Sequence, residues 1–135
     1  QSCVLRLTGI YGPGRNPLRR YLVPEKLPMC GEFWTNRIRV EDAVSAVRLL
    51  LDGNFREGVL NCSDDCPVKA IDVSRWIMEE RGLAWPDWIR FECDAVEGGG
   101  SSERPRSNKR VSNALLKGLG WTLMYPSFKE GMRIF

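Results

Sequence analysis

Apolar residues in this chain fall into short runs separated by polar stretches marked with glycine and proline. Cys3-Val4-Leu5-Arg6-Leu7 is apolar and partly β-branched, and reads as a strand. It runs into Thr8-Gly9-Ile10-Tyr11-Gly12-Pro13-Gly14, where glycine and proline interrupt regular structure and predict a loop. Beyond Pro17, Pro24 and Pro28, Val40, Val44, Val47 and Leu51 recur on one helical face, flanked by Ala43 and Leu50, which predicts a helix over residues 41–52. Glu41 and Asp42 suit its positive end and Gly53 its stop. Gly58-Val59-Leu60-Asn61-Cys62 predicts a second strand and Asp64-Asp65-Cys66-Pro67 a turn. Val73, Trp76 and Ile77 share one face of a helix expected over residues 69–81, ended by Gly82. Residues 94–108 contain Gly98-Gly99-Gly100-Ser101-Ser102 and Pro105, the composition of a mobile loop. The tail predicts an extended Lys109-Arg110-Val111, a short helix capped by Ser112 or Asn113 and running through Lys117, a corner at Gly120-Trp121, and a last helix from Ser127. Strands and helices thus alternate, with no internal repeat.

Composition narrows the class. At 135 residues, 43% hydrophobic and 27% charged, the chain has the balance of one domain with a modest core. No apolar run approaches the roughly 20 residues of a bilayer span, and the first residues lack the ordered regions of a signal peptide, so a soluble, unprocessed chain without a membrane partner is expected. Gln1 leads almost directly into an apolar strand, which suggests a missing upstream part. The net charge of +3 is unevenly spread, with basic ends around an acidic centre. A nucleic-acid reader favours a continuous basic stripe with interleaved aromatics, so this split disfavours nucleic acid and suits an anionic small substrate. Cys3, Cys30, Cys62, Cys66 and Cys93 are odd in number, and the chain has no histidine. They offer no zinc-type ligand spacing, so no metal is expected and packed, reduced thiols in a reducing compartment are the reading. Trp34, Trp76, Trp85, Trp88 and Trp121 read as core and rim packing.

The glycines after the first strand imitate a dinucleotide phosphate loop, but the mechanics disagree. Such a loop aims backbone N–H groups at a pyrophosphate from the first turn of a helix. Here Pro13 has no N–H, Pro17 interrupts any following helix, and Arg15 stands where the spacing requires a third glycine.

Taken together, four segments resemble a family. Leu5-Arg6-Leu7-Thr8-Gly9-Ile10-Tyr11-Gly12-Pro13-Gly14-Arg15 is similar to the strand and Tyr-Gly-Pro loop of extended short-chain dehydrogenases/reductases, the NAD-dependent epimerase/dehydratase superfamily. Asn36-Arg37-Ile38-Arg39-Val40-Glu41-Asp42-Ala43 resembles the family's later Ile-His-Val-x-Asp-like run that opens a helix. Gly58-Val59-Leu60-Asn61 with Asp64-Asp65-Cys66-Pro67-Val68 resembles its next strand and turn. Asn108-Lys109-Arg110-Val111-Ser112-Asn113-Ala114-Leu115-Leu116 with Leu119-Gly120-Trp121 resembles its tail. The four occur in the family's order.

The resemblance implies an α/β fold: residues 1–135 as the carboxy-terminal, substrate-side portion of a Rossmann-like NAD(P)-binding fold, with its small substrate-binding subdomain and without the amino-terminal dinucleotide-binding half. It implies NAD or NADP as cofactor of the complete enzyme, with weak or no binding by this chain alone. The missing half, on the same or a partner chain, would bring the Gly-rich loop and the Tyr-x-x-x-Lys pair. Tyr125-Pro126-Ser127-Phe128-Lys129 matches that pair by spacing only, because Pro126 breaks the helix that would set the two side chains one turn apart. No catalytic residue is therefore assigned. By resemblance, Leu7, Thr8 and Ile10 would lie near the nicotinamide, and Gly9 would leave room for substrate. Arg15, Arg37 and Arg39 offer forked, permanently charged donors for an anionic or hydroxyl-rich substrate, although Arg39 replaces the histidine common at its place. The competing expectation is a dehydrogenase-like domain that has lost catalysis and serves in interaction or assembly.

Overall fold

The computed structural model describes residues 2–18, 32–53, 55, 57–84 and 108–134. The chain divides into two compact units: Gln1–Asn16, Asn36–Pro67 and Arg110–Phe135 form the first, and Pro17–Thr35 with Val68–Lys109 the second.

In the first unit, strand β1 (Cys3–Leu7) pairs in parallel with a later strand over Gly58–Cys62, in the register Val4↔Val59 and Leu5↔Leu60. At Thr8 the chain changes partner. The Thr8 N–H still donates to the Cys62 carbonyl at 3.1 Å, but the Gly9 N–H donates to the Asn36 carbonyl at 3.1 Å. Strand β2 (Gly9–Tyr11) then runs parallel to a strand over Arg37–Arg39, with Ile10↔Ile38 and Tyr11↔Arg39 in register. Residues 9–11, expected as loop, are therefore strand. Three residues between two glycines carry too weak an alternation to reveal it, and pairing with a distant segment supplies the order.

In chain order the elements are β1, β2, β3 (Trp34–Thr35), β4 (Arg37–Arg39), α1 (Val40–Asp52), β5 (Gly58–Cys62), β6 (Val68–Lys69), α2 (Ala70–Glu80), α3 (Ala114–Gly118) and α4 (Phe128–Arg133). The bounds of the two long helices and of β5 lie close to those the hydrophobic pattern predicts. The two-residue strands β3 and β6 were not readable from it. The extended run expected at residues 109–111 forms no strand, and its Val111 N–H donates to Asn36 Oδ1 at 2.8 Å. The loop expected at residues 94–108 lies outside the described residues except for Asn108.

One face of the first unit's strands carries the core. Ile38, Leu60, Cys62, Ala43, Ala46, Leu116 and Trp121 are buried together, with Leu5, Ile10, Leu49 and Leu50 packed against them. Helix α1 lies on this face in an unexpected rotation. Its valine stripe is exposed, Val44 by 52% and Leu51 by 79%, whereas Asp42, Ala43 and Ala46 are buried. Two stripes one residue apart compete on this helix. The one with small side chains faces inward, as close approach to the strands requires.

The other face is covered only in part. Beyond β2 and β4, α4 buries Phe128 and Met132 while Tyr11 and Arg39 point to its side. Ser127 caps α4 by accepting from the Lys129 N–H at 3.2 Å, and its hydroxyl donates to the Glu130 carboxylate. Beyond β1 and β5, Val4 and Val59 remain 47% and 45% exposed.

In the second unit, β3 and β6 pair antiparallel, and the Thr35 hydroxyl donates to the Val68 carbonyl at 2.6 Å. Helix α2 follows β6 directly and buries Ile71, Val73, Ile77 and Met78.

Candidate functional site

Parallel strands present their carboxyl ends as the natural rim for a ligand, above all where the chain changes its pairing. In the first unit that rim is built by Leu7 at the end of β1 with Thr8 and Gly9 following it, and by Cys62 at the end of β5 with Ser63 and Asp64 following it. Leu7 is 43% exposed, an apolar side chain held at the end of its strand. Thr8 is fixed twice to one acceptor, because its hydroxyl also donates to the Cys62 carbonyl, at 3.2 Å. Ile10 turns away and packs against the core.

Gly9 and Arg37 are register partners, so two residues proposed for substrate do come together. At Gly9 a side chain would meet the Asn36 carbonyl at 3.1 Å. The missing Cβ thus serves strand-to-strand approach as well as any ligand. The Arg37 guanidinium stands 6.0 Å from the Phe128 ring centre. Arg15 is exposed on the turn after β2, where Gly12 and Arg15 bond each other's backbone. No α-helix follows the glycines among residues 12–18, so these residues form no N–H cradle for a pyrophosphate.

Arg39 is held by neighbours within the first unit. It is 2% exposed, and its fork grips Glu41, with Nε donating to Oε2 at 2.8 Å and Nη2 to Oε1 at 3.1 Å. Nη1 donates to the Gly131 carbonyl, and the guanidinium stacks 4.4 Å from the centre of the Tyr125 ring. Those contacts turn the side chain inward to hold α4. A guanidinium buried under α4 is stable there only with such partners. Burial works against the Glu41 carboxylate, but the hydrogen bonds and charge of Arg39 outweigh it and hold the group below its usual range. Tyr125 precedes α4 while Lys129 lies within it, so the two do not share a helical turn.

Three polar residues that sequence reasoning treated as loop, turn or helix-end features are buried in the first unit, Asp42 and Tyr11 within the influence of this arginine and Asp64 within that of Arg37. Asp42 accepts the Met124 N–H at 2.7 Å and the Tyr125 N–H at 3.0 Å, and burial still pushes its carboxyl upward. Tyr11 packs its hydroxyl against Gly131, where any side chain would collide with it, and burial followed by the charge of Asp64 raises its phenol. Asp64 is buried at the end of β5, and burial pushes its carboxyl up to about 7. The signals were present but unspecific: an acid in a first helical turn, a tyrosine before a glycine, two acids before a proline.

Cys62 is buried and its thiol is pushed up to about 12 by burial; Cys3, Cys62 and Cys66 are all free. Cys30 and Cys93 lie outside the described residues. No helix among the described residues is long and apolar enough to cross a membrane.

No family model and no curated protein matches this sequence. Solved structures do. A candidate NAD-dependent epimerase/dehydratase from Methylobacillus flagellatus is 31% identical with a TM-score of 0.73, and the match covers 98% of this chain and 45% of that one. A conserved protein of unknown function from Silicibacter pomeroyi is 29% identical with a TM-score of 0.69, covering 97% of this chain and 47% of that one. The UDP-glucose 4-epimerase of Thermotoga maritima, solved with UDP-glucose, shares 18% identity and a TM-score of 0.68, covering 98% of this chain and 43% of that one. The chain spans less than half the length of each.

Proposed function

We propose, from the premise that this chain is a partial piece of the Rossmann-like NAD-dependent epimerase/dehydratase fold, that it forms the substrate-side wall of such an enzyme's active site and is not catalytic alone. The observation that carries the reading is the change of pairing at Thr8. It sets Leu7, Thr8 and Gly9 at the carboxyl end of a parallel strand with Arg37 beside them. That is where open α/β sheets take their ligands.

In this reading Leu7 and Thr8 border the nicotinamide, with Ile10 supporting them from the core. Arg37 and the exposed Arg15 receive an anionic or hydroxyl-rich substrate, and Arg39 positions α4. NAD or NADP would supply the hydride chemistry from a site outside this chain. The residues described here do not fit the cofactor's pyrophosphate, so the chain alone binds it weakly.

Calorimetric titration of the 135-residue chain with NADH and NADPH is expected to show no micromolar binding, and no turnover should accompany it. Micromolar affinity would overturn the division of labour. With the dinucleotide-binding half present, Arg37→Ala and Arg15→Ala should raise KM for substrate by about tenfold each while changing kcat little, the loss of one charge-assisted contact. Unchanged KM in both would remove the arginines from the wall.

A further inference from the structure

Among the described residues, two buried side-chain atoms lack a hydrogen-bond partner: Tyr11 Oη and Asp64 Oδ2. Tyr11 is 3% and Asp64 2% exposed. Buried polar atoms are rarely left unpaired, so two in one neighbourhood call for a physical account.

Asp64 sits in a turn that fastens the carboxy-terminal segment of the first unit to its strands. Its N–H donates to the Arg37 carbonyl at 2.7 Å, and the next N–H, of Asp65, donates to the Pro126 carbonyl at 3.0 Å. Asp64 Oδ1 accepts the Cys66 N–H at 3.0 Å. Asn113 donates to the Ser63 carbonyl and to Asp65 Oδ1, both at 2.8 Å, and Lys117 pairs with Asp65 at 2.8 Å. One short turn therefore holds β4, α3 and the approach to α4.

A carboxylate whose second oxygen is buried and unpaired is the costly form of that side chain; the neutral acid keeps the same shape without the charge. We infer that the turn at residues 63–66 is a pH-sensitive clasp, which holds the carboxy-terminal segment while Asp64 is a neutral acid and loosens when Asp64 ionises.

The charged and titratable surroundings support this. Tyr11 faces the site from β2, Arg37 and Arg39 from β4, and Asp42 from α1. Asp65 and Cys66 lie in the turn itself, and Lys129 and Glu130 of α4 act on Cys66. For Asp64, burial is the dominant influence. The Cys66 N–H and Arg37 oppose it, Asp65 and Asp42 reinforce it, and the carboxyl is pushed up to about 7. Tyr11 stays protonated across that range, since even an ordinary phenol titrates well above it and burial raises this one further. The folded-state value lies above the unfolded one. Stabilisation by the neutral acid is thus complete below the ordinary carboxylate range and lost as pH rises through about 7.

Amide hydrogen exchange of the 135-residue chain on either side of neutrality, corrected for intrinsic rates, tests the clasp. Protection at Asp65, Lys117 and Gly131 should fall several-fold more on the alkaline side than protection in β1 and β5. Asp64→Asn, which keeps a neutral side chain, should abolish the difference. Equal protection on both sides, or an unchanged difference in D64N, would overturn the inference. Should D64N fail to fold, carbon-13 titration of the Asp64 carboxyl in the unaltered chain decides. A midpoint near neutrality supports the clasp, and one in the ordinary carboxylate range refutes it.

Discussion

Arg39 shows how far one side chain's role depends on packing that a linear pattern does not express. In sequence it is one of three arginines in candidate positions. In the structure its register with Tyr11 and the cover given by α4 turn it inward, onto Glu41, Gly131 and Tyr125. Removing it strands the Gly131 carbonyl and the Glu41 carboxylate together. Arg39→Ala is therefore expected to cost about 2–4 kcal/mol, below the most severe buried-pair losses because Glu41 is partly exposed. Arg39→Lys should recover less than half of that, since an ammonium cannot span Glu41 and Gly131 at once or stack on Tyr125 as a plane. Urea unfolding measures both, and a lysine variant as stable as the parent would refute the account. The same limit hid Asp42 and Asp64. Both are acids in a helix start or turn, where acids commonly sit in water, and Asp42 is bonded by Met124 and Tyr125, 82 and 83 positions away.

Elements were more legible than their orientation. Periodicity marked α1, α2 and β5, and capping chemistry marked α4, because these signals are local. Strand β2 and the short β3 and β6 take their order from partners distant in sequence, which no local pattern encodes. Helix α1 carries two apolar stripes, and the choice between them is a packing decision. That choice is testable at adjacent positions. Val47 is 42% exposed and Ala46 fully buried, so Val47→Lys should change stability by less than about 0.5 kcal/mol, whereas Ala46→Leu should cost about 1–3 kcal/mol by forcing the helix off the strands. The opposite ranking in thermal unfolding would restore the valine stripe as the inner face.

At the scale of the whole molecule, the first unit treats its two pairs of parallel strands unequally. Ile38 and Arg39, consecutive on β4, are both buried, so that pair is covered on both faces. On β1 and β5, Cys3, Leu5, Leu60 and Cys62 pack on the core. Val4 and Val59, register partners, stand side by side on the open face, followed there by the pair Arg6 and Asn61. Parallel strands are ordinarily covered on both sides, and an apolar patch left open recruits another apolar surface. An apolar strand that belongs to a larger parallel sheet needs cover that the described residues do not supply. The 135-residue chain should therefore bind a hydrophobic surface dye and self-associate with rising concentration. Val4→Thr with Val59→Thr keeps two β-branched residues and the strand geometry while adding hydroxyls to the exposed pair. It should lower dye binding and association several-fold and move the unfolding midpoint little. Sedimentation and dye titration read these quantities directly. If the double variant binds and associates like the parent, the open face of β1 and β5 is not the adhesive surface.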